Sequence, residues 1–292
     1  MSDRPKITQE MIDLYDQYTH VTLDRRGFME KLSRLAGSAA AAAAIAPLIA
    51  PSMAAASVVA DDDPRVTASS VAFAGASGQV AGYLVRPAKA SGKLPAVVVI
   101  HENRGLNDHI KDIARRLAVE NFMALAPDLL SVAGGTPADE NAAAQLIGKL
   151  DATRTVGDLV AAAAYVRARA DSTGRVGAVG FCWGAGMTNQ LAVHDPLLAA
   201  AVAYYGPQPG AADAAKIKAR LMLHYAGLDQ RIDAGIPAYE AALKAAGVDY
   251  QLFMYEGANH AFNNDTSAAR YDKPAADLAW SRTIAFLKKT LA

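Results

Sequence analysis

Between residues 175 and 193 the chain runs from an apolar segment through a glycine-bracketed cysteine into a helix-forming one. The segments are Arg175-Val176-Gly177-Ala178-Val179, then Gly180-Phe181-Cys182-Trp183-Gly184-Ala185-Gly186, then Met187 to Val193. Few structures accommodate that order. A buried strand must pass to a helix through a one-residue corner, and the flanking glycines are required because a side chain there would strike the neighbouring strand or helix. A thiol at such a corner sees the positive end of the helix dipole, which favours the thiolate, while the first free backbone N–H groups point at any oxyanion formed beside it. A free cysteine is also among the most buried residue types and can serve as a small core hydrophobe. The rest of the chain has to decide between a nucleophile and a core thiol.

Alternation of strand and helix patterns sets the fold class. Thr67 to Ala74 and Gln79 to Arg86 flank Ala76-Ser77-Gly78 and read as an antiparallel hairpin at a sheet edge. Ala96-Val97-Val98-Val99-Ile100 is a continuous apolar run, the mark of a central parallel strand buried on both faces. Phe122 to Ala126, Ala199 to Tyr204, Arg220 to Tyr225 and Tyr250 to Tyr255 are further strands, and helices are expected over 109–120, 138–150, 153–169, 237–246 and 271–291. The pattern predicts one α/β domain over residues 57–292, with a mostly parallel central sheet, helices on both faces and an N-terminal antiparallel hairpin. Ligands in such sheets lie beyond the carboxyl ends of the strands. Ser131 to Pro137, with Gly134 and Gly135, is placed to form a loop over that end.

Residues 1–56 read differently. Arg25 and Arg26 precede Phe28, Ala36 to Ala50 is nearly all small or apolar, and Pro51 to Ala56 offers small residues of the kind signal peptidases accept. The segment resembles a twin-arginine export signal, which implies a leader outside the fold, a periplasmic destination and no stable membrane insertion after its removal. The competing reading is an amphipathic helix with an alanine-rich linker.

Charge and cysteine count narrow the partners. Lys plus Arg and Asp plus Glu number 29 each, so no basic footprint for nucleic acid is present and a small uncharged ligand is the default partner. With one cysteine no internal disulfide forms. The six histidines show no metal-ligand spacing, so neither a dedicated metal site nor a cofactor is expected. Subunit number does not follow from the sequence.

A thiol nucleophile needs a base, and the base needs a group to hold its tautomer. Asp229 follows the strand at 220–225 and His260 follows the strand at 250–255, so chain order is nucleophile, acid, histidine, as in α/β-hydrolases. Alone, Asp229 could be a turn residue and His260 a helix-lining one; their joint placement points to a triad with Cys182. Glu102 ends the first central strand, beside the corner, either as a participant or as a solvated loop charge. Trp183 and Asn103 are the expected backbone N–H donors to an oxyanion. Arg104, Tyr205 and Phe262 are candidates for lining the substrate pocket, with Tyr204 and Trp183.

With HENRG at 101–105, GFCWGAG at 180–186, AGLDQRI at 226–232 and GANHAF at 257–262, the chain resembles the dienelactone hydrolase family over residues 66–292. The resemblance implies an α/β-hydrolase fold, hydrolysis of small esters or lactones, a triad of Cys182, Asp229 and His260, and a Glu102 that hydrogen-bonds the resting thiol. Members acting on dienelactone carry arginines that clamp the substrate carboxylate; here one such position is Asn264, and Arg104, Arg154 or Arg270 would have to substitute. A binding protein that has lost acyl transfer, and a thiol-based redox or perhydrolase role, are the alternatives.

Overall fold

In a computed structural model, which describes residues 6–20, 23–51 and 57–292, the chain begins with three helices: α1 (Gln9–Thr19), α2 (Arg25–Ala36) and α3 (Ala39–Ile49). The remainder runs β1 (Val66–Gly75), β2 (Gly78–Pro87), β3 (Leu94–Ile100), α4 (Asp108–Val119), β4 (Met123–Pro127), α5 (Glu140–Ile147), α6 (Ala152–Ala168), β5 (Ser172–Phe181) and α7 (Trp183–His194). It then continues through β6 (Ala200–Tyr204), β7 (Arg220–Ala226), the single turn α8 (Gln230–Asp233), α9 (Ile236–Ala246), β8 (Tyr250–Tyr255) and α10 (Lys273–Leu291).

The strands form one eight-stranded sheet in the order β1-β2-β4-β3-β5-β6-β7-β8. β1 pairs antiparallel with β2, and β2 antiparallel with β4; every other pairing is parallel. Val97, Val98, Val99 and Ile100 of β3 are fully buried because the sheet is packed on both faces, which is why that strand is a continuous apolar run. Val98 and Ile100 join one core with Leu159, Ala163 and Leu191, while Val97 and Val99 join the other with Ile113, Leu117 and Leu287. This is the α/β-hydrolase fold. β3 and β5 are direct neighbours, with Ile100 opposite Gly180, so the loops leaving them open side by side.

The first three helices pack on that end of the sheet. Met11, Leu14, Tyr15, Phe28, Leu32, Ala42, Ile45 and Ile49 form a small apolar core of their own. Asp24 and Ser38 cap α2 and α3 by accepting from Gly27 N and Ala41 N. Ala42, Ile45 and Ile49 recur at helical spacing and all face inward. In the full chain the described part of residues 1–56, expected to be a leader outside the fold, is packed against the domain. The reason is an apolar stripe that the small-residue run of a leader does not need. Ser52 to Ala56, the expected cleavage region, lies outside the described residues. Among the described residues no single helix is long and apolar enough to cross a membrane, although α2 and α3 taken together, bent by 110°, meet that length and composition.

Candidate active site

The site is built at the corner between β5 and α7. Cys182 sits there with φ 55° and ψ −119°, a conformation that L-residues rarely adopt. The corner holds because the residues two positions to either side, Gly180 and Gly184, lack side chains. A Cβ on Gly180 would come within 3.0 Å of Gly184 O, and one on Gly184 would meet the carbonyls of Ile100 and His101. α7 can thus press its first turn against the end of β3. Trp183 is the first residue of α7, where a backbone N–H has no partner within the helix. Asn103 stands on the adjoining loop. His101 ties the two together: its Nδ1 donates to Glu102 O at 2.7 Å, its Nε2 accepts from Leu129 N at 3.3 Å, and its ring stacks on Trp183 at 5.4 Å.

Asp229 follows β7 and His260 follows β8, both 5% exposed. His260 Nδ1 donates to Asp229 Oδ2 at 2.5 Å, which leaves Nε2 buried without a hydrogen-bond partner. His260 and Cys182 line the same cavity. Burial alone would raise the Cys182 thiol, but the imidazoles of His260 and His20 outweigh it and bring the thiol down to about 6. Burial lowers His260, yet Asp16, Cys182 and Asp229 together hold it well above the usual histidine range. Each of the two shifts thus favours the charged form of its group.

Glu102 differs from the expectation that it bonds the resting thiol. Its Oε2 accepts from Asn264 Nδ2 at 2.7 Å and its Oε1 has no partner among the described residues, although the side chain lines the same cavity. The amide of Asn264 thus supplies the donor to this buried carboxylate. The polar contact at the thiol comes instead from His20 Nε2, 3.4 Å from Sγ.

Tyr205 and Phe262 are also placed differently from the expectation. Both are fully buried, their rings 5.3 Å apart in an aromatic layer with Tyr204 and Tyr255 under the site, and neither lines the cavity at Cys182. Aromatic residues just past strand ends pack into the core here. Arg104 and Arg270 do line that cavity, whereas Arg154 is exposed elsewhere. Arg104 Nη1 donates to Glu140 O at 3.0 Å and Asn141 Oδ1 at 3.3 Å.

The space at Cys182 is small, about 20 Å³, because Thr19 and His20 close it from above. A neighbouring cavity of about 260 Å³ shares Pro51 and Arg104 with it. Thr136 and Pro137 line the larger cavity, so the 131–137 loop does border the site region. Two side-chain groups here could ligate a metal: His20, Cys182 and His260, and Asp16, Asp229 and His260, each with ligand atoms within 4.8 Å of one another. Sequence spacing could not reveal either, since both join residues from the two ends of the chain.

Fold and corner define an α/β-hydrolase, and comparison with known proteins narrows the class. The profile described as "Dienelactone hydrolase family" matches residues 80–291, and one described as "YqhI-like" matches residues 3–38. A putative carboxymethylenebutenolidase of Saccharolobus solfataricus is 36% identical over 230 residues, covering 66% of this chain and 89% of that protein. One from Escherichia coli is 30% identical over 250 residues, covering 80% and 92%. The crystal structure of a putative dienelactone hydrolase from Klebsiella pneumoniae superposes with a TM-score of 0.68 at 30% identity, covering 75% of this chain and 97% of that one. The chain belongs to the dienelactone hydrolase family and is a hydrolase.

Proposed function

We propose that this chain hydrolyses small carboxylic esters or lactones through a Cys182–His260–Asp229 triad and a covalent thioester. The observation that carries the reading is the His260–Asp229 hydrogen bond, which fixes the proton on Nδ1 and leaves Nε2 without a partner in a side chain that has a ring nitrogen within 4.8 Å of the sulfur. The Cys182 thiolate attacks the carbonyl carbon, and the oxyanion is held by the N–H groups of Trp183 and Asn103. His260, protonated, gives its proton to the departing alkoxide. The neutral ring then takes a proton from water as the hydroxyl adds to the thioester, and sulfur leaves as thiolate.

Uncharged substrates suit the site best. Arg104 is already engaged with Glu140 O and Asn141 Oδ1, and His109, the other basic residue on the wall of the larger cavity, is paired with Asp265, so neither basic group on that wall stands without a partner for an anion to take. The test is hydrolysis of aryl esters and lactones, with and without a carboxylate, by the full chain and by Cys182→Ala. Turnover of neutral substrates that is lost in Cys182→Ala supports the reading. An alanine variant as active as the parent overturns it. A Cys182 that no acylating substrate labels would favour a binding protein, and sulfenate formation with peroxide without ester turnover would favour a redox role.

For location, Arg25, Arg26 and the apolar α3 support recognition by a twin-arginine export system and a periplasmic destination. Two observations favour a chain that keeps these helices: their packing on the site, and the YqhI-like match over residues 3–38. Fractionation with N-terminal sequencing tests both points. A cytoplasmic protein would refute export, and a mature N-terminus near Ser57 would refute retention.

A further inference from the structure

We propose that His20 is a further catalytic residue: a second imidazole on the Cys182 nucleophile, supplied by the N-terminal helices rather than by the hydrolase domain. The inference rests on Cys182 being the nucleophile and extends that reading.

Three features place His20 in the chemistry. Its Nε2 lies 3.4 Å from Cys182 Sγ, while its Nδ1 donates to the Asp16 carbonyl at 2.7 Å. A carbonyl only accepts, so Nδ1 carries a proton and Nε2 is the nitrogen that exchanges one with sulfur. His260 is arranged the same way, with Nδ1 on Asp229, and the two rings meet edge to face at 4.8 Å and 86°. One thiol thus stands between two imidazoles, each backed by an oxygen acceptor.

The segment carrying His20 is also fastened to the site itself. Asn103 Nδ2 donates to Thr19 O at 2.5 Å, Gln9 Nε2 to Asn259 Oδ1 at 2.5 Å, and Tyr18 OH to Asn141 Oδ1 at 2.9 Å. Asn103 and Asn259 are neighbours of Glu102 and His260. The charged groups facing His20 are the Asp16 carboxylate, 3.5 Å from Nδ1, and Arg231, whose Nη2 is 3.1 Å from Nε2; Arg270 lies beyond, 3.9 Å from Asp16. Arg231 is the competitor. Its guanidinium donates to the same nitrogen while the ring is neutral and must swing aside when that nitrogen is protonated.

The proton balance is simple. The Cys182 S–H bond breaks, an N–H bond forms on His20 Nε2, and the imidazolium then donates Nδ1–H to Asp16 O and Nε2–H to the thiolate, its charge offset by the Asp16 carboxylate. His260, which takes its own proton from solvent and not from the thiol, delivers that proton to the alcohol and recovers one from water. The thiolate expelled on deacylation returns to the same donor, and the cycle closes with ester and water converted to acid and alcohol.

The test is alkylation of Cys182 by iodoacetamide as a function of pH, on the full chain, alongside acylation by a neutral aryl ester. In His20→Ala the midpoint is expected to move up by about 1 to 3 pH units, as loss of an opposite charge at this range predicts. Added free imidazole should restore part of the acylation rate. His20→Gln can keep a donor near Asp16 but cannot take a proton, so it should behave like His20→Ala. If the glutamine variant matches the parent, His20 is a docking contact and the proposal fails. If His260→Ala moves the midpoint while both His20 variants leave it in place, the inference fails and the triad stands. If none moves it, the triad reading fails as well.

Discussion

Gly184→Ala probes the corner on which both the fold and the proposed chemistry depend. A Cβ at this position would sit 2.5 Å from Ile100 O and closer still to His101 O, both backbone atoms, where ordinary contact begins at 3.4 Å. Either α7 or the end of β3 has to retreat by roughly 1 Å. Overpacking of this kind costs about 1–3 kcal/mol, against which alanine regains at most about 1 kcal/mol of helix propensity. The retreat also separates Trp183 N–H from Asn103 N–H. A misplacement of about 1 Å costs on the order of 100-fold in rate, or about 2.7 kcal/mol of barrier. The expected result is a melting temperature lower by several degrees and acylation slower by about 100-fold, read by calorimetry and by the burst of an aryl ester. A variant with parental stability and burst rate would show that the corner tolerates a methyl group, and the steric account of its glycines would be wrong.

The pH profile of thiol alkylation follows from the lowered thiol. Because the thiolate reacts, the rate should rise through about pH 6 and level off, where an ordinary thiol would climb through 9.0; a midpoint near the latter would remove the thiolate from the account. Asp229→Asn keeps an oxygen for Ile232 N but turns an amide donor toward His260 Nδ1, favouring the wrong tautomer, so kcat should fall by about 1,000- to 10,000-fold with little change in KM; a loss below tenfold would mean that Asp229 only packs. Asn264→Leu leaves Glu102 buried without its donor, and denaturant unfolding should show a loss of about 1–3 kcal/mol, largely recovered by adding Glu102→Leu. No recovery in the double variant would place the defect in the loop rather than at the carboxylate.

Most of the hydrolase domain was legible because its signals are local. β3 is an apolar run, the turn between β1 and β2 is small and polar, and Cys182, Asp229 and His260 each follow a strand whose period could be read directly. Side-chain contacts that join distant parts of the chain left no such signal. Asn264 reads as a lost substrate clamp until it is seen donating to Glu102, 162 positions away. Tyr205 and Phe262 carry a side chain type that serves pockets and cores alike, and only packing distinguishes them. His20 lies in a stretch whose arginines and alanines drew attention to export, although Ala42, Ile45 and Ile49 already had the spacing of a packed helix.

The placement of His20 changes what the small space at Cys182 means. A cavity of about 20 Å³ holds no ester, so substrate entry requires Thr19 and His20 to shift or the ester to reach the sulfur from the 260 Å³ cavity past Arg104. The fastenings of the segment are hydrogen bonds from Asn103, Gln9 and Tyr18 plus long ion pairs of Asp16 with Arg231 and Arg270, at 3.8 and 3.9 Å. The exposed ones among them are worth about 1 kcal/mol or less each, so opening starts there, whereas the buried Arg270, which also lies over the Tyr15 ring at 5.1 Å, holds the segment more firmly. Closure over the thioester would bring His20 back to the sulfur at the step where the thiolate is expelled. A segment that covers the site and supplies an imidazole gives the first three helices a use there. Raising ionic strength should therefore loosen the Asp16 pairs, speed substrate entry and weaken the hold on the thiolate together, whereas a segment that merely covers the site would change entry alone.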